Sequence, residues 1–158
     1  MKRNIVLRKV VEAGVIAAIY AALGMLPYSS SAIQVRVSEA LTVLPYITPS
    51  AIPGLFVGCI ITNIIATGNI IDIIFGSLAT LTAAVFTRKM PNKLLAPLPP
   101  VLINAVVVAI ILHYTAGAPL FFTMLTVGIG QTIACYVLGY PLLVKLEKIK
   151  HKLFMAEQ

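Results

Sequence analysis

At 158 residues, 59% hydrophobic and only 11% charged, with a mean hydropathy of +1.00, the chain is too apolar for a soluble domain, which is nearer half apolar and a quarter charged. The net charge of +7 would suit nucleic acid, but 11 of the 12 Lys and Arg fall in three clusters that flank apolar blocks: Lys2, Arg3, Arg8, Lys9; Arg88, Lys89, Lys93; and Lys145, Lys148, Lys150, Lys152. Charge placed this way sets membrane topology; it excludes nucleic acid as the partner and leaves a single multi-pass membrane domain over 1–158, its basic ends facing lipid headgroups.

The first block, roughly 10–28, contains "VVEAGVIAAIYAALGML". It is expected to be a retained span and not a signal peptide, because further apolar blocks follow. Ala13, Ala17 and Ala21 recur every four residues, with Ala18 and Ala22 beside them, and so share a helix face. A flat alanine face lets another helix approach closely. From spacing alone it serves either packing within this chain or docking of a partner membrane protein. "GLFVG", with Gly54 and Gly58, and the pair Ala79 and Ala83 read as internal packing.

Four more clear blocks follow, at 51–67, 70–87, 97–114 and 119–144. If the three basic clusters face the cytoplasm, an even number of crossings must separate each pair. Two blocks lie between the second and third clusters. Three lie between the first and second, so the segment 38–48, "SEALTVLPYIT", must cross as well. As an α-helix it covers only about half of a 30 Å hydrocarbon core, which other protein or a water-filled cavity must make good. Pro45 would bend or end this short helix, Pro49 falls in the turn, and Pro53 suits the first turn of the next helix. A re-entrant hairpin over 38–53 is the alternative. The expected architecture is an all-α bundle of six transmembrane helices, the second one short, with both termini cytoplasmic. "ATGNIID" and "HYTAGAP" are outer turns, "TRKMPNKLLAPLPP" is the inner loop, and "KLEKIKHKLFMAEQ" is a basic helical end.

Polar groups inside a membrane are costly and ask for a reason. Glu39 begins the short helix on the outer side, with Arg36 just before it. Asn63 lies near the outer end of the third helix and Asp72 starts the fourth. Asn104 and Gln131 sit about ten residues, or ~15 Å, below the outer surface. His113 and Tyr114 are at the outer mouth. The inner half is nearly all apolar, which disfavours a channel or proton relay and suits a pocket open to the outside. Tyr20, Tyr28, Tyr46, Tyr136 and Phe122 are available to stack on a small planar polar molecule. Each amide could instead be an interhelical hydrogen bond, and Glu39 or Asp72 a helix cap. Cys59 and Cys135 read as buried small hydrophobes. No catalytic constellation, metal-spaced cluster, phosphate loop or ATP-binding motif is present, so neither an enzyme nor a cofactor is expected.

The run "RVSEALTVLPYITPSAIPGLFVGCIITN", followed by "GNIIDIIFGSLATL", resembles the QueT family of queuosine-precursor transporters, the substrate-binding (S) components of energy-coupling factor (ECF) importers. The resemblance covers nearly the whole chain. It implies a six-helix S component in a bacterial cell membrane, with the loop 29–37 lidding an extracellular pocket for queuosine, queuine or a related 7-deazaguanine. It implies as partners a transmembrane coupling subunit, docked on the face of Ala13, Ala17 and Ala21, and two ATPase subunits, which accounts for the missing ATP motif. A carboxylate can accept paired N–H donors from a guanine-like edge; Glu39 is the first candidate and Asp72 the second. Asn63, Asn104 and Gln131 would take the carbonyl and ring nitrogens, with Arg36 and Tyr136 completing the expected site. A self-sufficient transporter of a small polar heterocycle, or an S component for another vitamin-like substrate, are the competing functions.

Overall fold

The computed structural model describes residues 2–26 and 35–156, with the side chains of 2–4 and 150–156 left aside. Residues 27–34, which include Tyr28 and most of the expected lid, lie outside the described residues. The described residues form six helices and no strand. They are α1 (Lys2–Gly24), a short α2 (Val37–Tyr46), α3 (Ala51–Ala66), α4 (a π-helical turn Asp72–Gly76 leading into Ser77–Arg88), α5 (Leu98–Ala116) and α6. The last runs through Leu120–Thr132, a π-helical stretch Ile133–Gly139 and Tyr140–Ala156.

The chain direction through the first three helices follows from where glycines allow contact. A Cβ on Gly54 would stand 2.7 Å from the carbonyl oxygen of Ala13, and one on Gly58 2.9 Å from that of Ala17; further along, Gly24 lies against Thr62. Numbers rise together on both helices, so α1 and α3 run parallel. The segment between them must return along the whole bundle, which the re-entrant hairpin would not do. Within the alanine face of α1, Ala17 is buried against Gly58 of α3 and Ala21 is also buried, while Ala13 is partly exposed.

The returning segment is shorter than the span it covers, and its helix type compensates. Instead of an α-helix over 38–48, Val37–Tyr46 is a 3₁₀-helix, with bonds such as Glu39 N–H to Arg36 O (3.0 Å) and Ile47 N–H to Leu44 O (2.9 Å). At about 2.0 Å rise per residue, ten residues reach ~20 Å, against ~15 Å as α-helix. Such a long 3₁₀ run is unusual. Here it is held on every side: Ser38 through Pro45 are all buried. Gly139 of α6 comes so close that a Cβ there would meet the Ala40 carbonyl oxygen at 2.8 Å. Pro45 sits inside the 3₁₀-helix without ending it, and Arg88 caps the far end. Its guanidinium donates to the carbonyls of Pro45 (3.3 Å) and Tyr46 (3.0 Å), groups that would otherwise be orphaned beside a negative helix end.

The core forms around this central helix. Leu41 and Leu44 pack with Ile16 and Tyr20 of α1, Ala51, Leu55 and Cys59 of α3, and Ala84 of α4. Val43 packs with Ala96 and Leu143. The parallel course of α1 and α3 places Arg8 and Lys9 at the same end of the bundle as Arg88. Lys93 joins them through a 2.9 Å ion pair with Glu147, near Lys145 and Lys148. This pair is exposed and contributes little to stability, though its hydrogen bond raises the Lys93 ammonium above its ordinary pKa. The three basic clusters thus share one end, and Arg36 and Asn63 lie toward the other.

The outer surface is apolar. Val15, Ile65, Phe75, Leu102, Phe121 and Val137 are each more than half exposed, a belt that fits lipid and not water. Among the described residues two helices are long and apolar enough to cross a membrane, Leu98–Ala116 and Leu120–Ile149; Ala51–Ala66 is apolar but has 16 residues.

Candidate functional site

Glu39 is 2% exposed, although it lies only two residues into α2. Nothing caps the helix through its carboxyl group, which points instead between α1 and α5. Tyr20 donates from its hydroxyl to Oε1 at 2.6 Å, and Asn104 donates from Nδ2 to Oε2 at 3.1 Å. The backbone also serves the residue: the Glu39 carbonyl accepts from Thr42 Oγ1 at 2.6 Å and from Cys135 Sγ at 3.5 Å. Both carboxyl oxygens are therefore oriented by neighbours, and each keeps a lone pair for a ligand donor.

This group borders a cavity of about 40 Å³. Its walls carry Arg36 and Glu39 around the start of α2, and Cys59 and Asn63 from α3. Gly76 and Thr80 come from α4, Asn104 and Val108 from α5, and Val127 and Gln131 from α6. Five side chains singled out from the sequence, from four parts of the chain, thus meet at one place: Glu39, Arg36, Asn63, Asn104 and Gln131. Asn63 ties the rim together, accepting from Arg36 Nη2 at 3.4 Å and donating to the Asp72 carbonyl at 2.9 Å. Gln131 is 6% exposed, and its Oε1 lies 3.7 Å from Cys135 Sγ.

Two candidates stand outside. Asp72 opens the π-helical turn of α4, is only partly buried, and meets Asn63 through its backbone and not its carboxyl group. Tyr136 is one turn beyond Gln131, half-buried and absent from the cavity wall. The aromatic residues available for stacking do not gather here either. Tyr20 is fully buried as the partner of Glu39, Tyr46 is at the opposite end, and Phe122 is on the exposed surface. His113 is also exposed, with Nδ1 2.8 Å from the Ala118 carbonyl oxygen. The apolar side chains in the cavity wall are Val108 and Val127.

Cys59, Gly76 and Thr80 escaped the sequence reasoning. Cys59 accepts weak hydrogen bonds from Thr80 Oγ1 (3.4 Å) and Asn63 Nδ2 (3.6 Å). The signal was the four-residue spacing of Cys59 with Asn63 and of Gly76 with Thr80, which puts each pair on one helix face. Both π-helical stretches border this region, one holding Gly76 and the other following Gln131. A π-turn shifts the register of the side chains beyond it and is often found at functional sites. Among the described residues no group of three His, Cys, Asp or Glu could hold a metal ion.

The arrangement is a buried carboxyl and three amides within an apolar bundle, with the Cys59 thiol and the Thr80 hydroxyl beside them. Compared with known families, residues 10–148 match the description QueT transporter. The chain belongs to the QueT transporter family. It is a membrane transport protein. No curated protein and no solved structure gives a significant match.

The hydrogen bond from Tyr20 has a direct test. Tyr20→Phe keeps the buried ring but leaves Oε1 of Glu39 without its donor. The expected cost is about 1–3 kcal/mol, the usual penalty for an unsatisfied buried group, read as a lower unfolding temperature of the purified protein in detergent. An unchanged unfolding temperature would show that the bond is not maintained.

Proposed function

We propose that this chain is the substrate-binding component of an ATP-driven ECF importer, and that it takes up a 7-deazaguanine such as queuine, queuosine or a precursor. The bundle crosses the membrane six times, with its three basic clusters in the cytoplasm and the cavity in the outward half. The observation that carries the reading is the Glu39 carboxyl group, buried, held by Tyr20 and Asn104, and bordering a cavity that Asn63, Asn104 and Gln131 also line. A guanine-type edge offers adjacent N–H donors to such a group, and Asn63 and Gln131 serve its acceptors. The aliphatic side chains of Val108 and Val127 and the Arg36 guanidinium clamp the ring faces.

At 40 Å³ the cavity holds about three waters, far below the ~300 Å³ of ordinary ligand pockets. Its walls therefore move apart to admit a bicyclic base. The test is calorimetric titration of the purified chain with queuine, guanine and adenine. Saturable binding of queuine, with adenine rejected, is expected. No saturable binding of any 7-deazaguanine would overturn the substrate assignment. Uptake of the base by liposomes containing this chain alone would overturn the dependence on ATPase partners.

Docking of the coupling subunit falls to α1. With Ala17 and Ala21 buried, the small residues left outward on this helix are Gly14, Ala18 and Ala22, all exposed. Ala18→Leu is expected to abolish co-purification with a coupling subunit while leaving ligand affinity within about twofold, since a side chain facing away from the core disturbs little. Co-purification at the level of the unsubstituted chain would remove α1 as the docking helix.

A further inference from the structure

A second concavity, of about 420 Å³, lies at the basic end of the bundle, between the first half of α1 and the start of α3. Its size is within the range of small-molecule pockets, roughly 300–1,000 Å³. The wall is made of Val6, Val10, Ala13, Pro49 and Pro53, with two polar residues, Lys9 and Ser50. The prolines explain why the groove exists. Pro49 and Pro53 shape the chain entering α3, and their short rings, with Ala13 opposite, leave unfilled the space longer side chains would occupy. This groove shares no residue with the cavity at Glu39.

Its two polar groups are unusual together. Ser50 is 6% exposed, and among the described residues its hydroxyl makes no hydrogen bond, neither capping α3 nor meeting another side chain. A buried hydroxyl without an acceptor costs about 1–3 kcal/mol, so an occupant that offers one is favoured. Lys9 is exposed and belongs to the cluster with Lys2, Arg3 and Arg8, in a stretch whose only carboxylate is Glu12. The occupant must therefore be apolar along most of its length, carry acceptor oxygens and end in a negative charge. Those are the properties of an anionic phospholipid, and a groove on the lipid-facing surface beside a basic cluster meets that lipid continuously.

We propose that this groove is a specific site for one anionic phospholipid. An acyl chain lies along Val6, Val10, Ala13 and Pro53, the ester oxygens accept from Ser50, and the phosphate pairs with Lys9. This goes beyond the general attraction of basic ends to a membrane, because it assigns one lipid to one groove. It also does not depend on what the cavity at Glu39 binds.

The test uses the full chain purified in neutral detergent, delipidated, and titrated with phosphatidylglycerol or phosphatidylcholine of matched acyl chains while bound lipid is counted by native mass spectrometry. One phosphatidylglycerol is expected to be retained, at least about tenfold tighter than phosphatidylcholine. Lys9→Glu should erase that preference, since it replaces the phosphate's partner with a like charge. Ser50→Ala should weaken retention of both lipids. Val10→Trp, which narrows the groove, should abolish stoichiometric retention without lowering the unfolding temperature. Inorganic phosphate should compete with neither lipid. Equal retention of the two lipids, or a preference untouched by Lys9→Glu, would overturn the proposal. Lys9→Glu that keeps its lipid but loses a co-purifying membrane protein would assign the groove to a partner helix instead.

Discussion

Glu39→Gln is expected to weaken binding of a 7-deazaguanine by about 100-fold or more, with little change in the fold. Glutamine has the same shape, its oxygen still accepts from Asn104 and its amide can donate to the Tyr20 oxygen, so within the buried network the Tyr20 O–H loses its acceptor while the other contacts remain. What changes is the face shown to the ligand. An N–H group now stands where an acceptor stood, opposite a donor of the base. A site built around a hydrogen bond discriminates strongly when that bond is replaced by an unpaired or opposed group. A 100-fold loss corresponds to about 2.8 kcal/mol at 1.4 kcal/mol per factor of ten. Calorimetry with queuine, together with the unfolding temperature of the unliganded variant, checks both halves. Binding equal to that of the unsubstituted chain would make Glu39 a structural residue and turn attention to Asp72→Asn.

The largest effect on stability is expected from Gly58→Val. A Cβ at this position would meet the Ala17 carbonyl oxygen at 2.9 Å, the Tyr20 Cβ at 3.0 Å and the Ala17 Cα at 3.1 Å. Two of these neighbours are backbone atoms of a helix and cannot swing aside as a long side chain could. The branched side chain must push α1 away from α3, and Tyr20 moves with it. Overpacking of this kind costs about 1–3 kcal/mol and sometimes more. The displacement also lengthens the 2.6 Å hydrogen bond to Glu39. Both a lower unfolding temperature and weaker ligand binding are therefore expected, whereas Ala18→Leu on the outward side of the same helix should lower neither. If Gly58→Val unfolded at the unsubstituted temperature, the close parallel contact between α1 and α3 would be wrong.

The chain shows how far pattern alone reaches in an apolar protein. Counting basic clusters required the segment 38–48 to return across the bundle, and the parallel course of α1 and α3 satisfies that count. The helices between Ala51 and Ala116 begin and end beside proline, glycine or polar residues, which are rare enough here to punctuate the apolar runs. The helix type of the short segment was not. Its ten residues carry no periodic signature of a 3₁₀ coil, and the choice rests on neighbours: Gly139 pressed on Ala40, Arg88 at the carbonyl end, and burial on all sides. The π-helical stretches were equally hidden, since a one-residue register shift leaves composition unchanged.

The candidate site divides in the same way. Depth estimates were enough to assemble Glu39, Arg36, Asn63, Asn104 and Gln131, because a polar group in an apolar helix is conspicuous wherever it points. The roles of Tyr20 and Asp72 were not readable. Aromatic residues are tolerated on many faces of a membrane helix, and only the crossing of α1 with α2 brings the Tyr20 hydroxyl to Glu39. Asp72 marks the start of a helix as well as a ligand would, and only the fold shows that its backbone is what meets Asn63. By itself the sequence determined an apolar helical bundle, the end where its charges gather and the polar residues set within its apolar blocks, since all three depend on composition along the chain. The tertiary structure decided which alanines are spent on packing, how a short segment spans the bundle and which donors aim the buried Glu39 carboxyl group, since those depend on distances between residues far apart in the chain.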